Sequence, residues 1–413
     1  MTGPAGPTGA AVPLAGAPVP VMSVRRSILL LGVLEAFGPL SMDLYLPQLP
    51  QLAGTLGTSA ALAQATMAVC MVGLGVGQLV AGPLSDRYGR RRPLLVGVAL
   101  FAVLSLACAL APTIEVLLAA RLLQGLAGSA GLVITMAVAR DMYSGAELSR
   151  MLSLLALVSA SAPIVAPVAG GALALVLDWR GIFGVLAGVG AALLVLALTG
   201  LRETLPPALR HGGGLRRTAA DFRALSRDGL FLVIVVAAAA GGAAFFGYLS
   251  MSSFVLQDGF GLSPQKFSLF FAANALANLI GAQLSRVLVR RLGPARLYLI
   301  GELATVTAAA VLLLAVFLDW GVAGVLASLA CFLFASGVGG PNGTALALGG
   351  HGMRAGTAAA VLGTVTFTVG PIVGPLAALG GTTALTMALT IGIAAAVAAT
   401  VALAAARPLL ARA

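Results

Sequence analysis

The sequence predicts an all-α polytopic membrane protein, with twelve transmembrane helices arranged as two pseudo-symmetric six-helix bundles. Three observations carry that expectation. Hydrophobic residues fill 60% of the 413 positions and charged residues only 9%, whereas a soluble chain needs about a quarter charged residues to cover its surface. Apolar runs recur between short polar links, each near the roughly 20 residues that cross a bilayer core. The two halves of the chain also echo each other. "PIVAP" at 163–167 returns as "PIVGP" at 371–375, and "LSDRYG" at 84–89 is answered by "LVRRLG" at 288–293. The offsets, 163 to 371 and 84 to 288, are each about half the chain. A parallel repeat of this kind places a binding site near the membrane midplane.

Residues 1–24 are rich in Pro, Gly and Ala and are expected to form a disordered tail. They have no basic stretch ahead of an apolar core, so they do not read as a secretory signal. Spans are expected near 27–50, 60–82, 93–112, 115–139, 149–177, 180–201, 229–256, 265–288, 296–318, 321–349, 355–380 and 382–405. Residues 202–228 are the one long polar segment, dividing a first bundle (25–201) from a second (229–406); residues 407–413 form a short tail. Pro47 and Pro50 are expected to end or bend the first span at the outer surface, because proline lacks a backbone donor. The 53 glycines suit close helix packing.

Arginine placement predicts the orientation. With both termini in the cytoplasm, 21 of the 24 basic residues fall on the cytoplasmic side, leaving Arg180 and Lys266 outside and Arg121 within a span. The formal charge of +11 therefore reads as a topology signal, with no nucleic-acid partner implied. Cys70, Cys108 and Cys331 lie inside apolar runs and read as small core residues, not as a disulfide framework or zinc site. A membrane enzyme would need a metal or nucleophile cluster. The two histidines, His211 and His351, fall in polar links, and no phosphate-binding glycine loop with its lysine is present. No enzyme activity, cofactor or metal is expected; the power source left is an ion gradient.

Charged residues inside spans are rare, because each costs about 2.5–3.5 kcal/mol at the bilayer centre. Glu35 and Asp43 lie eight residues apart on the first span, about 12 Å along the axis and some 80° around it. Both can face one cavity and exchange protons there. Alternatively, Asp43 caps a helix at the outer interface and Glu35 joins an ion pair. Arg121 needs a partner, for which Glu35 or Asp43 is the candidate; a coupling role and a static pair both fit. Glu302, one or two turns into the ninth span, reads better as an ion pair with Arg290 or Arg291 than as a transport residue. Pocket candidates are Tyr45, Gln64, Met136, Phe245, Tyr248, Asn274, Asn278 and Asn342. Pro163, Pro167, Gly170 and Gly171 in span five, with Gly370, Pro371, Gly374 and Pro375 in span eleven, suit bending or close packing.

"GQLVAGPLSDRYGRRRPLLVG" at 77–97 resembles the loop between spans two and three of the major facilitator superfamily, with Gly82, Asp86, Arg87, Gly89, Arg90 and Arg91 in register. "RLLQGLAGSAG" at 121–131 resembles its fourth-span motif and "APIVAPVAGG" at 162–171 its antiporter motif, with Ala166 where glycine is usual. "MDLYLPQLP" at 42–50 and "DWRGIF" at 178–183 look like Bcr/CflA-type drug:proton antiporters, chloramphenicol and florfenicol exporters among them. The resemblance runs from about 27 to 405; the second half is degenerate, with Arg290 replacing the loop aspartate. It implies a monomeric exporter of small amphipathic drugs in the cytoplasmic membrane, exchanging them for protons. It further implies that Asp86, Arg90 and Asp141 form a relay closing the cytoplasmic side in the outward-facing state. Arg87, Arg91 and Arg92 read as headgroup-level topology determinants. A metabolite exporter or a proton-coupled importer of the same fold is the alternative.

Overall fold

The computed structural model describes residues 24–210, 222–349, 351 and 354–411. The expected tail at residues 1–23, together with His211, Arg216, Arg217 and Arg412, lies outside the described residues. Twelve long helices account for most of the described chain: α1 (Val24–Asp43), α2 (Ala60–Tyr88), α3 (Arg91–Ala109), α4 (Ile114–Met142), α5 (Gly145–Leu173), α6 (Trp179–Gly200), α7 (Gly229–Phe254), α8 (Pro264–Leu292), α9 (Pro294–Phe317), α10 (Gly321–Gly349), α11 (Ala355–Ala378) and α12 (Ala384–Ala404). Eleven are long and apolar enough to cross a membrane. The twelfth, α1, carries Arg25, Arg26, Glu35 and Asp43 within 20 residues. Those charges are what set it apart from the other eleven.

Helix starts follow local chemistry. Ser59, Asp178, Asp228, Ser263 and Thr383 cap α2, α6, α7, α8 and α12, each side chain accepting a backbone N–H of the first turn. The first span departs from expectation. α1 stops at Asp43, four residues before Pro47, and the prolines instead open two short helices, Leu46–Gln48 and Leu49–Thr55. Proline at the first helical position sacrifices no hydrogen bond, so it starts a helix as readily as it ends one.

The repeat is visible in packing. On α2, a Cβ at Gly73 would meet the Leu122 carbonyl of α4, and one at Gly125 would meet the Cys70 carbonyl. In the second half Gly281 stands against the Phe334 carbonyl and Gly337 against that of Asn278. The positions correspond across the halves, 73 to 281 and 70 to 278. Backbones touch at both places because glycine leaves room. Cys70 and Cys108 are buried as expected, but Cys331 is exposed on α10, an apolar run having both a packed and an outward face.

The halves meet along two helix pairs, α2 with α11 and α5 with α8. At the arginine-poor end, buried apolar side chains form one cluster through both halves; toward the arginine-rich end it divides into two separate clusters, one per half. Polar bonds cross the seam only at the closed end among the described residues: Gln265 donates to the Gly171 carbonyl (3.2 Å), Ser253 to that of Leu46 (2.8 Å) and Gln257 to that of Pro47 (3.0 Å). The molecule is therefore sealed at one end and parted at the other.

Candidate functional site

Between the halves lies a cavity of about 940 Å³. It runs from Asp43 and Tyr248 at its blind end to Asp86, Arg90, Arg140 and Asp141 at its mouth. Helices α1, α2, α4, α5, α7, α8, α10 and α11 line it, and the bodies of α3, α6, α9 and α12 do not. The two walls differ. The first half supplies the two carboxylates that lack a basic partner, Glu35 and Asp43, from α1, besides Asp86 and Asp141 at the mouth. The second supplies aromatic rings: Tyr248 stacks on Phe271 with centroids 5.6 Å apart, and Phe245 and Phe246 meet edge to face at 5.4 Å. Such a chamber offers apolar surface with a few polar groups, the usual make-up of a small-molecule site.

Ending α1 at Asp43 explains the geometry. Asp43 is 6% exposed, and among the described residues no hydrogen bond or ion pair reaches its carboxylate. Two residues on, Tyr45 turns the other way into the first half, its hydroxyl 3.0 Å from that of Thr66. The carbonyls of Leu46 and Pro47 are held by Ser253 at the end of α7 and by Gln257 just after it, and the Gln48 amide donates to the Leu177 carbonyl at 2.6 Å. Alternation within five residues thus sends an acid to the cavity and a phenol to the core. Glu35 lines the same cavity nearer the mouth. Ser159 of α5 bonds its carboxyl, and Oε2 is buried without a partner.

Arg121 departs from expectation. It is fully buried and pairs with neither acid. Its guanidinium donates to Gln124 Oε1 (2.6 Å) and the Thr66 carbonyl (3.2 Å), and lies 4.7 Å from the Tyr45 ring centroid and 5.4 Å from that of Phe183. Gln124 in turn donates to Ser105 at 2.7 Å. Carbonyl oxygens and aromatic faces replace the carboxylate, so the cation is held inside the first half, behind the cavity wall.

Of the eight pocket candidates, Met136, Phe245, Tyr248 and Asn278 line the cavity. Tyr45 does not, for the reason above. Gln64 is sealed in the seam with both polar atoms unpartnered, Asn274 supports the Tyr248 hydroxyl from behind (3.1 Å), and Asn342 is tied to Ser285 (2.7 Å). Gln78, Ser85 and Ser159 line it and were equally polar on their spans, but nothing in the sequence separated them from the rest. Pro163 faces the cavity; Pro167, Pro371 and Pro375 lie inside α5 and α11. Gly170 stands against the Leu44 carbonyl in the link after α1, and Gly171 against Ser268, Gly370 against Phe246 and Gly374 against Ser250 at close contacts between helices. Glu302 forms no ion pair with Arg290 or Arg291 among the described residues. It faces inward, into a second cavity, whereas those arginines end α8.

At the mouth, Arg90 bonds Asp86, Ser85 (2.7 Å) and Asp141 (2.9 Å). These three contacts are all made while the cavity is open at this end, and Asp86, Ser85 and Asp141 all belong to the first half. Glu203, which the sequence did not single out, extends this group. Its carboxylate accepts the backbone N–H of Arg90 (2.7 Å), Arg91 (3.3 Å) and Leu205 (3.0 Å), and Thr204 donates to Asp141 at 3.1 Å. Burial alone would raise the Glu203 carboxyl; the backbone N–H groups and nearby Arg210 overcome that and hold it below the ordinary carboxylate value. Gly89, at φ 88°, makes the turn, and any side chain there would strike the Glu203 carboxylate. Gly82 lines the cavity one turn before Asp86, and Arg87 is exposed, stacked on Tyr88. Arg91 is not left at the headgroups: it donates to the carbonyls of Leu201 (2.8 Å) and Leu198 (2.9 Å), ending α6. The 202–228 segment holds three acids, Glu203, Asp221 and Asp228, beside six arginines, and nothing in the sequence separated Glu203 from the other two.

Comparison with known proteins agrees with this architecture. Residues 31–375 match the Major Facilitator Superfamily. The chain is 39% identical over 349 residues to "Uncharacterized MFS-type transporter YdgK" of Bacillus subtilis (strain 168), covering 83% of this chain and 86% of that one. It is 32% identical over 348 residues to the "Chloramphenicol resistance protein" of Pseudomonas aeruginosa, covering 82% and 80%. Among solved structures, a bacterial homolog of the human lysosomal transporter Spinster, in inward-facing and unoccupied conformation, superposes with TM-score 0.72 at 17% identity, over 94% of this chain and 98% of that one. This integral membrane protein of twelve long helices belongs to the Major Facilitator Superfamily, whose members are transporters and not enzymes.

Proposed function

We propose that the chain is a proton-coupled antiporter that exports small amphipathic drugs of the chloramphenicol type from the cytoplasm by alternating access. One observation carries this reading: two carboxylates without basic partners face a single cavity that is open at one end and walled on the far side by aromatic rings. The arginine distribution puts the open end in the cytoplasm, with both termini there. Glu35, Asp43 and the aromatic wall then serve drug and proton in turn. A drug entering from the cytoplasm displaces a proton from an acid of α1; closure at the mouth and opening at the Gln257 end carries the drug out, and a proton returns. The bundles at 25–201 and 229–406 move as the two lobes, and one copy suffices. Drug-resistance proteins among the relatives support the substrate class.

Energetics allow it. One charge crossing 100 mV yields about 2.3 kcal/mol and a pH unit about 1.4 kcal/mol. Together, one proton sustains a several-hundred-fold gradient of a neutral drug. In cells making the chain, chloramphenicol is expected to accumulate less than in control cells, and a protonophore should erase the difference. Equal accumulation without the protonophore, alongside altered export of an endogenous metabolite, would overturn the drug assignment.

A further inference from the structure

Helix α9 contributes nothing to the central cavity, yet it carries Glu302. Tyr298, Glu302 and Thr305 recur at helical spacing and share one face. That face opens on a second cavity of about 410 Å³ inside the second half, within the roughly 300–1,000 Å³ range of small-molecule pockets. Among the described residues no hydrogen bond or ion pair reaches the Glu302 carboxylate. Among the described residues, the only other titratable side chain on the cavity wall is Tyr298; α7, α8, α10, α11 and α12 present apolar, glycine and neutral polar residues there. Phe245, Phe246, Asn278 and Phe367 line both cavities, so the second adjoins the first across an aromatic partition.

A carboxylate in a membrane-embedded chamber, left without a protein cation, is neutralised either by a proton or by a counter-charge from elsewhere. Aromatic faces beside it attract a positive charge and accept an apolar body. We infer that the Glu302 cavity is a second substrate subsite, specific for lipophilic organic cations, distinct from the Glu35–Asp43 chamber. Carboxylate and rings supply charge and stacking; the glycine-rich wall of α10 supplies room. The inference rests on the drug-transport reading only for its physiological use.

The test is binding of radiolabelled tetraphenylphosphonium to the purified full chain in nanodiscs, with each variant checked for a monodisperse elution profile. Wild type is expected to bind it. Glu302→Gln should weaken binding at least tenfold, and Glu302→Asp, which keeps the charge, should recover most of that loss. Gly241→Leu is the second variant: a Cβ at Gly241 meets open space, so the new side chain fills the cavity and leaves the carboxylate alone. It should weaken binding comparably. Unchanged binding in Glu302→Gln and Gly241→Leu, or no binding by wild type, overturns the subsite. Tetraphenylphosphonium binding in a chain that exports no drug would sink the export reading and leave the subsite standing.

Discussion

Asp43→Asn is expected to collapse the drug gradient that a proton gradient sustains, from several-hundred-fold to near unity. The carboxylate sits at the blind end of the cavity, inside the proposed drug site, with no cation to neutralise it. Its charge can change only by taking or losing a proton. Asparagine keeps the shape and removes that exchange, so the drug can still enter but nothing ties its exit to proton entry. Inside-out vesicles with an imposed pH difference check this: wild type should concentrate labelled chloramphenicol, and the variant should only equilibrate it. Glu35→Gln should lower the gradient too, because Glu35 lines the same chamber without a basic partner. The fold should survive both changes, since neither acid anchors an ion pair.

Gly125→Val is expected to have the largest effect on stability. The first half is built on the backbone contact of α2 with α4, where even a bare Cβ at Gly125 would overlap the Cys70 carbonyl and lie 2.9 Å from the Leu74 nitrogen. Neither neighbour is the flexible tip of a side chain, so the helices themselves must part. Overpacking a tight site costs about 1–3 kcal/mol, occasionally more, and the upper end applies when backbone must move. Melting followed by fluorescence-detected size exclusion should show a fall of about 10 °C or no folded peak at all. Gly188→Ala on α6, where an added Cβ meets nothing within 4 Å, should melt like wild type.

Much of this was legible in the sequence, and the rest was hidden for definable reasons. Span number and order follow from length and hydropathy, which act locally. The 53 glycines pointed to helices that approach closely, and the Asp86–Arg90–Asp141 group was implied by the family resemblance, Asp86 and Arg90 standing four residues apart and Asp141 meeting them from α4. The fate of Arg121 was not legible, because its neighbours at 45, 66 and 183 come together only when α2, α4, α6 and the link after α1 pack; proximity to α1 suggested the acids, and rings and carbonyls took their place. Glu302 was misread for the same reason. Its distance from Arg290 and Arg291 along the chain is short, but the rotation of α9 points it inward. Helical period tells which residues share a face and leaves open what that face meets. For Gln64, Asn274 and Asn342 against Gln78 and Ser159, that difference decided wall or core.

The most direct test is proton release on drug binding. Purified protein in weakly buffered solution is mixed with chloramphenicol, and pH is followed with an indicator. Wild type should shed protons on binding, and the combined Glu35→Gln, Asp43→Asn variant should bind without shedding any. Equal release from both, or none from wild type despite measurable binding, would contradict coupling through the acids of α1.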